Sequence, residues 1–133
     1  MYTVVKRLHF CYGHRLLDYD GKCAHPHGHN ASVEVVLSRD TLDGCGMVID
    51  FGDIDRALEE FIDVELDHRM LLRHDDPLVE ALRGVGEEPY LMDSNPTAEN
   101  IAELLFQQAK KKGLPVVAVR LWETEQAYAE YRE

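Results

Sequence analysis

Apolar and polar positions alternate along the first third of the chain. Tyr2–Cys11 is rich in β-branched and aromatic residues, and His29–Leu37 alternates between apolar and polar side chains. A two-residue period is typical of half-buried β-strands. Leu16–Pro26 lies between the two segments, and its polar residues with Gly21 and Pro26 indicate a loop. We therefore predict two consecutive strands.

The middle of the chain changes to a helical period. Apolar residues recur every three or four positions after Asp53 and again after Thr97, which is typical of a helix with one buried face. Thr97 is also a capping hydroxyl for the second helix, which Gly113-Leu114-Pro115 ends. Leu66–Pro89 has no clear period and is predicted to be irregular. The apolar stripes are Ile54, Leu58, Phe61 and Ile62, then Ile101, Leu104, Leu105 and Ala109.

Two further strands close the chain. Val116–Thr124 is rich in β-branched residues, and Ala127–Tyr131 alternates after a short turn, which predicts a hairpin. The predicted order is strand, strand, helix, helix, strand, strand, an α+β arrangement. The length of 133 residues, without a repeat or linker, predicts one domain over residues 1–133.

Charge and cysteine content narrow the class of protein. The formal net charge of −11 argues against nucleic acid or an anionic membrane as a partner, because both need a basic face. A small phosphorylated substrate needs only a few local cations. The number of cysteines is odd, with Cys11, Cys23 and Cys45, and no signal peptide or long apolar run is present. We therefore expect free thiols in a reducing cytoplasm.

Three histidines are spaced as metal ligands. His27 and His29 lie two residues apart, so their side chains share one face of an extended strand. His14 on the preceding strand would complete a three-imidazole site. Three nitrogen ligands with an open fourth position are typical of catalytic zinc, Zn²⁺, although surface or hydrogen-bonding histidines are the alternative. His25 is expected to be a loop residue or a group behind the ligands.

Cys23 lies four residues before His27 and is a candidate base. A thiol must become a thiolate to act as a base, and zinc with a neighbouring imidazolium could promote that change. A buried apolar cysteine is the common alternative, which fits Cys11 and Cys45 better than Cys23 in its polar loop.

Several short motifs occur in an order that resembles the 6-pyruvoyl-tetrahydropterin synthase family. The resemblance spans nearly the whole chain. The bacterial branch of this family makes 6-carboxy-tetrahydropterin in the queuosine pathway. The chain departs from the family's frequent Phe-Ser-Ala-Ala-His, because Phe10-Cys11-Tyr12-Gly13-His14 adds a thiol and a bulky phenol beside the first ligand. The motifs are His14, the Cys-x3-His-Gly-His of Cys23–His29, Val48–Phe51, Leu66–His68, Asn95–Asn100 and Glu123-Thr124.

The resemblance implies the tunnelling fold. In that fold an antiparallel four-stranded sheet carries two helices on one face, in the order ββααββ. Three subunits close their sheets into a barrel, and two trimers stack into a hexamer with active sites between subunits. Such a homo-oligomer would also cover the exposed sheet edges.

The resemblance also implies a reaction and roles for individual residues. The substrate would be 7,8-dihydroneopterin triphosphate, and the products 6-carboxy-5,6,7,8-tetrahydropterin, triphosphate and acetaldehyde. Zinc would polarise the substrate's side-chain hydroxyls, and Cys23 would remove a proton. Asp67-His68 would act as a proton relay. Glu123 would anchor the pterin through two parallel hydrogen bonds.

Other residues receive weaker assignments. Thr124 and Thr97 could line the pterin pocket, although a helix cap explains Thr97 adequately. Arg15 and Lys22 are the cations nearest in sequence and could meet the triphosphate. Without the family resemblance, Asp67-His68 would be read as a solvated helix-terminal pair.

Three rival functions stay open from the sequence. A 6-pyruvoyl-tetrahydropterin synthase would stop after triphosphate elimination. A pterin- or metal-binding subunit without lyase activity would not need the base and relay. A zinc hydrolase would call for a carboxylate base such as that of HExxH, a motif that the chain lacks.

Overall fold

Two long antiparallel strands form the centre of a curled six-stranded sheet. The computed structural model describes residues 1–133 and places β1 at Tyr2–His14 and β2 at His27–Arg39. A 3-10 turn, Lys22–Ala24, lies in the loop between them. The other elements are α1 (Phe51–Phe61), a π-helical turn (Ile62–Leu66), β3 (Arg69–Arg73), α2 (Leu78–Gly84), β4 (Tyr90–Met92), α3 (Ala98–Lys111), β5 (Val116–Thr124) and β6 (Ala127–Arg132).

The sheet is mixed rather than wholly antiparallel. Its strand order is β4-β3-β1-β2-β5-β6, with β3 parallel to both β1 and β4. The β1–β2, β2–β5 and β5–β6 pairs are antiparallel. The prediction of an α+β fold is confirmed, but a four-stranded sheet with two helices is wrong. Leu66–Pro89 is not irregular, because it contains β3 and α2.

The helices α1 and α3 cover one face of the sheet, and each begins at a capping side chain. Asp50 accepts a hydrogen bond from the Gly52 amide and begins α1 two residues before the predicted start. Thr97 accepts from the Asn100 amide and begins α3 as predicted. Gly113, with φ of 82°, follows the end of α3.

The core lies between this helical layer and the inward side chains of the central strands. It contains 22 buried residues, including Phe10 and Tyr12 on β1 and Leu105 and Phe106 on α3. None of the helices is both long enough and apolar enough to cross a membrane. The inward row of β1 ends at His14, where the core gives way to a polar cluster.

Candidate metal centre and active site

The register of β1 and β2 brings the three predicted ligands together. His14 lies opposite His27, and Tyr12 lies opposite His29, so all four side chains share the face that carries α1 and α3. One ring nitrogen from each of His14, His27 and His29 lies within 4.8 Å of the other two. His14 is buried and the other two are half-buried.

Hydrogen bonds to main-chain carbonyls set the tautomers of two ligands. His14 Nδ1 lies 2.7 Å from the Pro96 oxygen, and His27 Nδ1 lies 2.7 Å from the His25 oxygen. Carbonyls only accept, so both Nδ1 atoms carry the hydrogen and both Nε2 atoms present lone pairs. His25 thus acts through its main chain, behind a ligand. The two Nε2 atoms face each other at 3.0 Å, an arrangement that a cation between them would stabilise.

The third ligand supplies the same kind of atom. His29 Nε2 is buried and has no hydrogen-bond partner in the protein. An orphaned buried nitrogen is costly unless a ligand satisfies it. Burial lowers the pKa of His14, which favours the neutral imidazole that a metal requires. The cluster therefore fits a metal held by three imidazoles, with zinc the usual choice for this ligand set.

Glu123, near the end of β5, completes the cluster with Tyr12. Its carboxylate oxygens lie 3.6 Å from His29 Nε2 and 4.0 Å from His14 Nε2. The Tyr12 hydroxyl donates to Glu123 Oε1 over 3.2 Å. Burial and the Glu123 carboxylate raise the pKa of Tyr12, so the phenol stays protonated and acts as the donor.

Asp67 and His68 form a pair, although adjacent side chains usually diverge. His68 has a φ of 59°, which turns its imidazole back so that Nδ1 lies 2.8 Å from Asp67 Oδ2. The Cys11 amide donates to Asp67 Oδ1 over 2.9 Å, and this bond is the main reason that the pKa of Asp67 lies below its usual value. The ionised carboxylate can orient the imidazole and stabilise its charged form.

A cavity of about 490 Å³ lies between His68 and one metal ligand, His27, since both residues line it. Cys23 lies half-buried in the 3-10 turn and does not line this cavity. Its main-chain oxygen accepts from the Leu16 amide over 2.8 Å, which ties the turn to the end of β1. Within one chain, Cys23 and His68 therefore do not line this cavity together.

The two threonines predicted to line the pterin pocket have structural roles in this chain. Thr97 caps α3. Thr124 Oγ1 accepts from the Gln126 amide over 3.3 Å in the β5–β6 turn, and Thr124 lines a separate cavity with Arg7 and Trp122. Glu123 faces the histidines, so the structure separates it from Thr124.

The two cations suggested for the triphosphate differ in their surroundings, and neither lines the cavity of His68. Arg15 donates to both carboxylate oxygens of Asp76, including an Nε–Oδ2 bond of 2.8 Å, and Asp76 is buried. Lys22 is exposed in the 3-10 turn. Arg69 is a better candidate, because it follows His68, lines the same cavity and donates to the main-chain oxygens of Val64 and Glu88 rather than to a carboxylate.

The Arg15–Asp76 pair leads to a prediction for pH-dependent stability. Hydrogen bonds from Arg15 lower the pKa of Asp76, so this contribution is present above the unfolded-state pKa of about 4 and lost as pH falls. Asp76→Asn should lower the free energy of unfolding at pH 7 by about 3 kcal/mol. The difference from wild type should shrink below pH of about 3. Urea unfolding at both pH values would measure it, and an undiminished difference in acid would contradict it.

Asp75→Asn is the matched control for this measurement. Asp75 pairs with Arg73 at the surface, one residue away from the buried pair. Exposed ion pairs contribute little because water screens them. The control should therefore unfold much as the wild type does at pH 7.

Comparisons with known proteins agree with this arrangement. The model of the family described as 6-pyruvoyl tetrahydropterin synthase matches residues 3–133. A 6-carboxy-5,6,7,8-tetrahydropterin synthase of Rickettsia typhi is 34% identical, covering 98% of this chain and 99% of its own. A protein of the same name from Aquifex aeolicus is 37% identical, covering 84% of this chain and 76% of its own.

Solved structures agree in fold. An uncharacterized protein of Wolinella succinogenes superposes with a TM-score of 0.79 at 28% identity, covering 99% of this chain and 98% of that one. The 6-pyruvoyl tetrahydropterin synthase of Caenorhabditis elegans superposes with a TM-score of 0.75 at 23% identity, covering 99% and 95%. With the family model matching almost every residue and the histidine cluster in place, this chain belongs to the 6-pyruvoyl tetrahydropterin synthase family.

Proposed function

We propose that this protein is a zinc-dependent lyase that converts 7,8-dihydroneopterin triphosphate to 6-carboxy-5,6,7,8-tetrahydropterin. The observation that carries the proposal is the cluster of three imidazole nitrogens within 4.8 Å, in a chain whose full-length relatives bear that enzyme's name. The reaction would consume one water, and triphosphate and acetaldehyde would be the other products, as in queuosine biosynthesis. The 6-pyruvoyl product is the second candidate, because the family model carries that name.

Each group in the site has a proposed task. His14, His27 and His29 would hold zinc, which supplies a Lewis acid that acidifies the hydrogens beside the substrate's side-chain hydroxyls. Cys23 would remove such a hydrogen as its thiolate. The Asp67–His68 pair would pass protons to and from the substrate. Arg69 would face the phosphate end, since its guanidinium has no carboxylate partner.

The position of Glu123 favours a proton-handling role over the predicted pterin anchor. The substrate's hydroxylated side chain leaves the ring at the edge opposite the amino group and ring N–H that an anchor would bind. With the substrate's hydroxyls at the metal, a carboxylate 3.6 Å from His29 Nε2 would lie at the hydroxyl end of the substrate, one bicyclic ring away from the edge that an anchor binds. We therefore propose that Glu123 accepts or returns a proton at the side-chain hydroxyls.

A complete site would need a second copy of the chain. Cys23 does not line the cavity that His68 lines in one chain, and the His68 side chain is 79% exposed. Both observations support a site in which Cys23 of one subunit meets the relay pair of a neighbour. A hexamer built as a dimer of trimers is the proposed assembly, and it would cover the edge strands β4 and β6.

Product analysis by mass spectrometry tests the proposed function. Zinc-loaded protein would be incubated without oxygen with 7,8-dihydroneopterin triphosphate, and the pterin and aldehyde products identified. A 6-carboxy product with acetaldehyde supports the proposal, and a 6-pyruvoyl product keeps the mechanism but changes the assignment. Metal binding without turnover would favour a pterin- or metal-binding subunit.

A further inference from the structure

Tyr12 is a buried phenol at the boundary between the apolar core and the histidine cluster. Its side chain is 1% exposed. The ring stacks on Phe10, with centroids 5.2 Å apart, and meets the His14 ring edge-on at 5.1 Å. It also lies 5.8 Å from the His29 ring. Tyr12 therefore packs on two of the three candidate ligands while contributing to the core.

The hydroxyl of Tyr12 does something that core packing does not require. Phenylalanine would make the same ring contacts, and a buried hydroxyl is costly unless it is hydrogen-bonded. The partner is Glu123 Oε1 at 3.2 Å, a residue 111 positions away along the chain. In the sheet β2 separates the strands that carry the two residues. The bond therefore spans a strand and reaches a carboxylate of the site.

Glu123 needs such a constraint to face the histidines. Its side chain is 29% exposed, so solvent competes for the carboxylate. Tyr12 donates to Oε1, while the other oxygen, Oε2, lies 3.6 Å from His29 Nε2. The rigid phenol fixes one carboxylate oxygen and thereby directs the other toward the ligands.

We infer that Tyr12 is a positioning residue that holds the Glu123 carboxylate against His14 and His29 through its hydroxyl. Its effect on turnover rests on the function proposed above. The placement of the Glu123 carboxylate by Tyr12 does not depend on that function, because it concerns the surroundings of a metal held by the histidines. A binding-only protein would show the same metal environment.

A double-mutant cycle tests this inference. Tyr12→Phe should lower kcat about tenfold, the value of a hydrogen bond to a charged group, with KM changed less than about twofold. Glu123→Gln should lower kcat by about a hundredfold. Adding Tyr12→Phe to Glu123→Gln should change kcat little further, because the hydroxyl acts through Glu123. Effects that multiply would overturn the inference.

Cobalt substitution provides a measurement that needs no turnover. Co²⁺ replaces zinc and reports its ligand surroundings through visible absorption, which Tyr12→Phe should shift in a wild-type background. The same change made beside Glu123→Gln should leave the spectrum as in that single variant. A spectrum that Tyr12→Phe leaves unchanged would overturn the inference. If wild type fails to turn over the pterin, the proposed function fails, while the cobalt cycle still decides the role of Tyr12.

Tyr131→Phe is the control for loss of a phenol hydroxyl. Tyr131 on β6 also donates to a carboxylate, Glu133 Oε1 at 3.1 Å, and packs on Phe106 away from the histidines. This variant should keep the wild-type kcat and cobalt spectrum. Thermal melting of both variants checks that they fold, and equal effects of the two changes on kcat would contradict a specific role for Tyr12.

Discussion

Replacing Cys23 with alanine should lower kcat by about a thousandfold while leaving the zinc content of the protein unchanged. Proton transfer by a positioned base accounts for a factor of about a hundred to ten thousand in rate. Cys23 is not part of the histidine cluster, and its turn is held through its main-chain oxygen, so a shorter side chain should not disturb the metal site. Steady-state kinetics with metal analysis would measure both quantities. Full activity in this variant would remove the assignment of Cys23 as the base.

Cys45→Ala is the matched control, because Cys45 is an exposed thiol in a different loop. A mixing experiment tests whether the base and the relay of one site come from different subunits. Cys23→Ala and His68→Ala proteins, each inactive alone, would be unfolded, combined in equal amounts and refolded. If each site joins two neighbouring subunits, about a quarter of the sites regain both groups. No recovery from folded, zinc-loaded mixtures would contradict a shared site.

The parts of the fold that the sequence predicts are those whose local pattern is long. β1, β2, β5 and β6 are each at least six residues long, and α1 and α3 run for 11 and 14 residues. β3 and β4 have only five and three residues, which is too few for a strand or helix period to be recognised in the sequence. β3 is held by parallel pairing with β1, across Tyr12–His14, and that long-range contact leaves no local signal.

The candidate site likewise contains features that the local sequence predicts and features that depend on long-range contacts. The spacing of His27 and His29 and the later appearance of Asp67-His68 are visible along the chain, and the structure brings each set together. The carbonyls that set the ligand tautomers and the Tyr12–Glu123 bond join distant positions, which spacing cannot reveal. Tyr12 was the one visible signal in the sequence, because it replaces a small residue in the family's Phe-Ser-Ala-Ala-His motif. Thr124 turns away from Glu123 at the register shift between Trp122 and Thr124 in the β5–β6 pair, where its hydroxyl accepts from the Gln126 amide.

His29→Ala should lower the affinity for zinc at least about a hundredfold, since a three-imidazole site loses one of its ligands. Activity should fall with it. Chelation should lower the melting temperature of the wild type, because metal stabilises only the folded state. Chelation should change the melting temperature of His29→Ala little. Zinc titration and melting with and without chelator would measure these effects.

The metal-free proteins should separate two of the ligands. His29 Nε2 is buried without a partner, so His29→Ala removes an unsatisfied nitrogen and offsets part of the lost packing. His14→Ala removes a 3% exposed ring and its bond to the Pro96 oxygen, so it should destabilise the metal-free protein more. His9→Ala is the control, because His9 bonds Ser32 away from the cluster. If His29→Ala kept the zinc affinity of the wild type, the metal would bind elsewhere. The chemistry proposed for Cys23 and Glu123 depends on a metal at the histidines and would then be wrong.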